Sequence, residues 1–226
     1  SRARSSLAGV LAAAAAARVR KVGLVGAALA DYGDIVPLAE DIVAASFRLS
    51  VSSLALAAAA TPAIIEAVGR SGQRSIALAP EAATAEMRAE LGKVIAEGRL
   101  EECLAAAAAA GVWKVKLYYI IGIPGEAAAD AAAIGGELAA LQLRFRRLRL
   151  EARVNPLVPK RGTRLAAAAL VPRRVFRERL RAIKARAGGV KVTAGSWREA
   201  RLQEVLSRGE RPLARWLARL AEGARA

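Results

Sequence analysis

The chain of 226 residues contains no histidine and a single cysteine, Cys103. One cysteine excludes an internal disulfide and a thiolate metal cage built from these residues. Without histidine, Ser/His and Cys/His nucleophile systems are excluded, and a zinc site loses its usual ligands. Cys103 lies in an alanine-rich helical stretch and reads as a small buried residue rather than a nucleophile. Such cysteine usage fits a reducing, cytoplasmic setting. Aromatic residues make up only 4% of the chain, so Ala, Leu, Val and Ile must build the core. Long apolar runs are missing too. Leu7–Ala17 is too short to span a bilayer and is followed by Arg18, Arg20 and Lys21, so a soluble chain with no membrane span is expected. There is no Walker phosphate loop and no G-x-G-x-x-G opening a helix.

What is present points to one sizeable domain, or one domain with a small appendage. Hydrophobic residues make up 55% of the chain, and the formal net charge is +16. That charge permits nucleic acid or another anionic partner. Much of the excess follows Arg144, where it also serves to solvate helix surfaces.

Helical and strand patterns alternate along the chain. Ser5–Ala17 reads as a helix with Ser5 or Ser6 as N-cap, and Lys21–Gly26 as a short strand. Ile35–Ala45 has helical spacing, and Arg48–Ser53 is the next strand. Thr61-Pro62 opens a helix, with Thr61 as its expected N-cap. Ser75–Leu78 is a strand ending in Ala79-Pro80-Glu81, and short helices follow over Thr84–Leu91 and Glu97–Ala110. Trp113–Ile121 then reads as a buried strand. Only Lys116 interrupts its apolar run from Val115, as in a strand covered on both faces. It stops at Gly122-Ile123-Pro124-Gly125, where two glycines and a proline make a tight turn, and Glu126 opens the next helix. Arg147–Val154 alternates charged and apolar residues, as a strand with one wet face does. Strand–helix repeated five times is the signature of a parallel α/β sheet or barrel. After Pro172 come a basic helix over Arg173–Arg186, a short strand at Val190–Thr193, and two amphipathic helices. The expected division is a barrel over residues 1–165 and a small α-rich extension over 166–226.

In a parallel barrel, polar residues just after the strands face the active mouth. Here these are Asp31, Asp34, Ser52, Ser53, Glu81, the Gly122–Gly125 turn and Asn155. Each also has a plainer role, as a helix cap, a backbone-bonding serine or a turn residue. Glu81 and Arg88, one to two helical turns apart, offer complementary charges for a zwitterionic ligand, or else a local ion pair.

Five segments together resemble a known family: VGLVGAALADY (Val22–Tyr32), LSVSSL (Leu49–Leu54), SGQRSIALAPEAATAEMR (Ser71–Arg88), VKLYYIIGIPGE (Val115–Glu126) and VNPLVPKRGT (Val154–Thr163). In order and spacing they resemble radical S-adenosylmethionine enzymes. The likeness is greatest to the broad group often fused to a cobalamin-binding domain, and Ser196–Leu217 is similar to that group's C-terminal segment. The resemblance implies a partial (β/α)6 barrel lacking its first strand. It implies S-adenosylmethionine as cofactor and a four-iron–four-sulfur cluster that cleaves it to a 5′-deoxyadenosyl radical, which then takes hydrogen from a substrate. It assigns Glu81 and Arg88 to the methionine part, Ser52 and Ser53 to a wall of the site, Ile121-Gly122 to the adenine side, and Asn155 to the mouth of the last barrel strand. The family's CxxxCxxC loop is absent. Its ligands are expected upstream of Ser1, with cobalamin in a separate upstream domain, and no metal ligand or catalytic residue is assigned in this chain. The alternatives are a basic RNA-binding or RNA-modification module, its charge supplied by Arg144–Arg153 and Arg173–Lys191, and a non-catalytic barrel remnant.

Overall fold

The computed structural model describes residues 4–26 and 29–223. In chain order its elements are α1 (Arg4–Ala16), β1 (Lys21–Leu24), α2 (Ile35–Ala44), β2 (Arg48–Val51), β3 (Leu54–Ala55), α3 (Thr61–Arg70), β4 (Ser75–Glu81), α4 (Ala85–Glu90), α5 (Arg99–Ala109), β5 (Lys114–Ile121), α6 (Ala128–Arg144), β6 (Arg149–Pro156), α7 (Arg173–Arg186), β7 (Lys191–Ala194), α8 (Trp197–Arg208) and α9 (Arg211–Gly223). A 3-10 turn spans Leu29–Asp31. The chain is an α/β protein. Five parallel strands lie in the order β3-β4-β5-β6-β7, and β1 and β2 form a separate parallel pair. No helix among the described residues is long and apolar enough to cross a membrane.

The two sheets share one run of chain. Residues 48–55 pair with β1 in their first half and with β4 in their second, and Ser52-Ser53 is the break between them. The sequence expectation of one strand over Arg48–Ser53 takes in this break and stops short of β3. In the gap, side chains replace a ladder. Ser71 Oγ accepts the Leu49 N–H at 3.1 Å and lies 3.1 Å from the Leu49 carbonyl. The Gln73 amide accepts from Val51 N–H at 3.2 Å and donates to the Val51 carbonyl at 3.3 Å.

The helices cover one face of the large sheet. Val115, Leu117, Tyr119 and Ile121 of β5 are fully buried, whereas Lys114, Lys116, Tyr118 and Ile120 are half-buried. The Tyr119 hydroxyl donates to Glu137 of α6, which identifies the buried face as the helix side. This corrects the expectation of a strand covered on both faces: an apolar run with lysines at even positions has one dry face and one wet face. β6 continues the pattern. Leu150, Ala152 and Val154 face the helices, and Arg149, Glu151, Arg153 and Asn155 face the other way. Beyond residue 165 the sheet goes on, with β7 pairing with β6 and α7 packing on α6.

The caps differ from the sequence expectation in two places. Thr61 is fully buried, and its hydroxyl donates to the Ala55 carbonyl at 2.6 Å, which ties α3 to β3 instead of capping the helix. Asp34 precedes α2 without a side-chain capping bond and accepts from the Tyr32 hydroxyl at 3.3 Å. Thr84 does cap α4, accepting from Met87 N–H. Residues 1–3 lie outside the described residues, and Ser5 falls within α1.

Candidate functional site

Among the clefts around the strands, four divide Ser52, Ser53, Glu81, Arg88 and Asn155 between them. The first, of about 150 Å³, lies over the end of β4 and is lined by Leu29, Ser53, Ala79, Glu81, Lys93 and Ile95. It brings Ser53 to Glu81. Glu81 has φ +67°, a left-handed backbone that a side-chain-bearing residue adopts only at some cost in strain. Here it ends β4 at a register shift against β5 and turns the carboxylate toward the cleft. Its ion-pair partner is Lys93 at 3.8 Å, not Arg88. Burial pushes the Glu81 carboxyl above its ordinary value, and Lys93 offsets part of that rise.

Arg88 points elsewhere. Its guanidinium donates to the carbonyls of Ala82 at 3.0 Å and Ala83 at 3.2 Å, so it holds the loop that follows β4. It also lines a second cleft of about 150 Å³, with Glu97, Arg99, Glu101 and Glu137. Beneath this cleft the buried Tyr119 phenol donates to Glu137 at 2.5 Å. Burial, and then the Glu137 carboxylate, raise the phenol well above its usual range. Burial also raises Glu137.

Ser52 belongs to a third cleft, of about 510 Å³, at the gap between the two sheets. Arg48, Ser50, Gln73 and Ser75 line it as well. Ser52 and Ser53 therefore face different spaces, because the strand breaks between them.

Gly122 and Gly125 both have positive φ, +85° and +77°, as the turn after β5 requires. A Cβ at Gly122 would meet Val171 at 2.7 Å. The Ile121 carbonyl accepts from Leu157 N–H at 2.9 Å, and Glu126 accepts from Gly122 N–H at 2.8 Å. The Ile121-Gly122 lip therefore has these backbone groups already bonded, with the Ile121 side chain fully buried on the helix side and Gly122 half-buried. Glu126 does more than precede α6. It forms a buried ion pair with Arg179 of α7, whose second nitrogen donates to the Glu126 carbonyl at 2.7 Å. Burial raises the Glu126 carboxyl, and the bonds from Gly122 and Arg179 oppose it. Nothing in the sequence signalled Arg179, which lies 53 residues away.

The fourth cleft, of about 450 Å³, lies beyond the ends of β6 and β7 and contains Asn155. Asp31 and Asp34 are exposed and belong to none of the four. Cys103 is buried in α5, and burial pushes its thiol up to about 12. No group of three or more His, Cys, Asp or Glu side chains among the described residues is placed to hold a metal ion.

The three buried carboxyls make the chain's stability depend on pH. Glu81, Glu126 and Glu137 all have folded-state values raised by burial, so the native chain holds protons that the unfolded chain releases. Their contribution is full below the unfolded value and is lost as pH rises through the folded value. Urea unfolding is expected to show stability increasing as pH falls from 7 to about 5. Glu137→Gln should flatten part of that slope, and an unchanged slope would contradict the assignment to Glu137. Glu151 has the opposite sign. The hydrogen bond from Lys114 lowers it, so its contribution is lost only on further acidification.

No protein-family model matches the chain. It is similar to the uncharacterized protein MJ0966 of Methanocaldococcus jannaschii, with 27% identity over 202 residues. That match covers 88% of this chain and 44% of the relative, so the chain spans less than half the relative's length.

Proposed function

We propose that the chain is the cofactor-binding core of a radical S-adenosylmethionine enzyme, its parallel strands forming the wall of a partial (β/α)6 barrel. What carries the reading is the order of groups across neighbouring strands, from the cleft over the end of β4 to the carboxyl ends of β5 and β6. Ser53 and Glu81 share the cleft at β3–β4, the Ile121-Gly122 lip follows at β5, and Asn155 follows at β6. β4 and β6 are two strand spacings apart, about 10 Å. That is the scale of an amino acid joined to a nucleoside. Glu81 supplies a carboxylate for the ligand's ammonium group, and the half-buried backbone of Gly122, which carries no side chain, leaves space for the adenine beside the end of β5. Such edges are where parallel α/β proteins hold ligands.

The residues present do not fit an iron–sulfur cluster. The single thiol is buried and its protonated form is strongly favoured. In this reading the cluster's thiolates, and any cobalamin, belong to parts of a longer protein, and no step is routed through them here. Hydrogen abstraction from a substrate is the activity proposed for that whole protein.

Calorimetric titration of the chain with S-adenosylmethionine tests the binding claim. Saturable binding is expected, weakened about tenfold by Glu81→Gln through loss of a charge-assisted bond. Arg88→Gln should act less, because its guanidinium already serves two backbone carbonyls. Absence of binding overturns the cofactor site. Absence of cluster absorbance after anaerobic reconstitution of the longer protein overturns the radical chemistry.

A second reading, polyanion binding, has support from α7. Arg173, Arg174, Arg177 and Arg181 line an open groove of about 280 Å³ with one carboxylate, Glu178, among them. No aromatic side chain lines this groove to stack bases, which makes RNA the weaker reading.

A further inference from the structure

We propose that the cleft beyond β6 and β7 binds the phosphate of a small hydroxyl-bearing phosphate ester, through Arg153 and Lys160. The cleft of about 450 Å³ is lined by Arg153, Asn155, Lys160, Ser196, Glu199 and Gln203, among others. Its volume is that of a small-molecule site rather than of a polymer groove.

The argument starts from how this chain treats its other partly buried charges. Glu151, next to Arg153 on the same face of β6, is held by Lys114 at 2.9 Å and Arg149 at 3.3 Å. Glu204 is held by Arg201 and Arg208, and Glu126 by Arg179. Arg153 is half-buried on the uncovered face of the sheet, beside Tyr118 in register. Yet neither Arg153 nor Lys160 has a carboxylate within 4.0 Å among the described residues, and neither side chain makes a hydrogen bond to them. Two cations lining one cleft with no carboxylate in contact with either repel each other, and an anion between them removes that repulsion. The Arg153 fork suits the paired oxygens of a phosphate, and Lys160 adds a movable point charge.

The neutral groups fit the same ligand. A Cβ at Gly195 would collide with Asn155 Oδ1, so the glycine leaves room for this amide in the cleft. Glu199 also lines the cleft and has no ion-pair partner within 4.0 Å among the described residues. It repels a second anionic group and accepts from hydroxyls. A phosphate at Arg153 and Lys160 with hydroxyls toward Glu199 and Gln203 uses the four longest polar side chains of the cleft. As a binding site this inference stands on Arg153, Lys160, Glu199 and Gln203, which the cofactor reading does not use, and shares Asn155 with it. As the class of the enzyme's substrate it rests on that reading.

The test is calorimetric titration of the chain with ribose 5-phosphate, with ribose as control, at near-physiological salt. It needs neither S-adenosylmethionine nor iron, so its failure is separable from failure of the cofactor reading. Saturable 1:1 binding of ribose 5-phosphate and none of ribose is expected. Arg153→Gln and Lys160→Gln should each weaken it about tenfold or more, the worth of a charged hydrogen bond. Lys160 is exposed, so its variant tests the site even if Arg153→Gln fails to fold. Glu199→Gln should tighten binding severalfold, a change that loss of a merely structural residue would not produce. The double variant Arg18→Gln/Arg20→Gln removes two exposed charges on the α1–β1 link and should leave binding unchanged. Equal weakening by that double variant would mean diffuse attraction to a chain of net charge +16 and would overturn the site. So would absent binding, equal binding of ribose, or an unaffected Lys160→Gln. An RNA oligonucleotide that binds tightly through α7 while ribose 5-phosphate does not bind would overturn it in favour of a polyanion surface.

Discussion

Glu126→Ala is expected to lower the unfolding free energy by about 3–5 kcal/mol, the usual cost of removing one partner of a buried ion pair. Its carboxylate is 2% exposed and the Arg179 side chain 15%. Truncation leaves the guanidinium without its anion and the Gly122 N–H without its acceptor. The loss should appear as a lower urea midpoint with an unchanged slope. Because the pair is one unit, adding Arg179→Met to Glu126→Ala should cost much less than the sum of the two single changes. Full additivity would show that the pair is not formed. The effect reaches the proposed cofactor edge, because Glu126 fixes the turn that shapes the Ile121-Gly122 lip.

Gly135→Val is the second large effect, about 3 kcal/mol of destabilisation from overpacking. Gly135 lies where α6 meets α7. A Cβ there would run into the Ile183 carbonyl and come 2.8 Å from Arg186 Cβ. Backbone cannot swing aside as a long side chain can, so α7 must shift. Arg179 rides on α7, so the displacement should also loosen the bond to Glu126. Gly136 is the internal comparison. It has nothing within 4 Å of its Cβ position, and Gly136→Ala should stabilise by about 0.5–1 kcal/mol through helix propensity. Chemical denaturation of both variants checks the contrast. Equal effects at 135 and 136 would contradict the close crossing.

Much of the fold was legible because period-2 and helical patterns survive in a chain of small aliphatics. The wet face of β6 could be read from Arg147–Val154 alone, and that face carries Arg153. What could not be read depended on contacts distant in sequence. Ser52-Ser53 looks like strand, and its break follows from pairing with two different partners, β1 and β4. Arg88 looked like Glu81's partner at one to two helical turns. The left-handed backbone at Glu81 and the carbonyls of Ala82 and Ala83 separate them, and Lys93 takes the place beside the carboxylate. Arg179 belongs to a basic run in which no single arginine stands out, so its pairing with Glu126 was invisible. The phosphate cleft was hidden for the same reason. Asn155 was picked out as a strand-end residue with Lys160 in the same segment, but Glu199 and Gln203 come from α8, about forty residues further along the chain.

The side chains of Ser71 and Gln73 give the gap between the two sheets a further meaning. A main-chain ladder unzips residue by residue, and its geometry fixes the spacing of the strands. Here one hydroxyl and one amide stand in for that ladder beside a cleft of about 510 Å³. The packing of α2 on α3 and the buried Leu49 and Val51 hold the β1–β2 pair in the common core. The distance from the β1–β2 pair to the large sheet is thus set by side-chain size rather than by main-chain geometry, so substitutions at Ser71 and Gln73 reset it while those within the ladders do not.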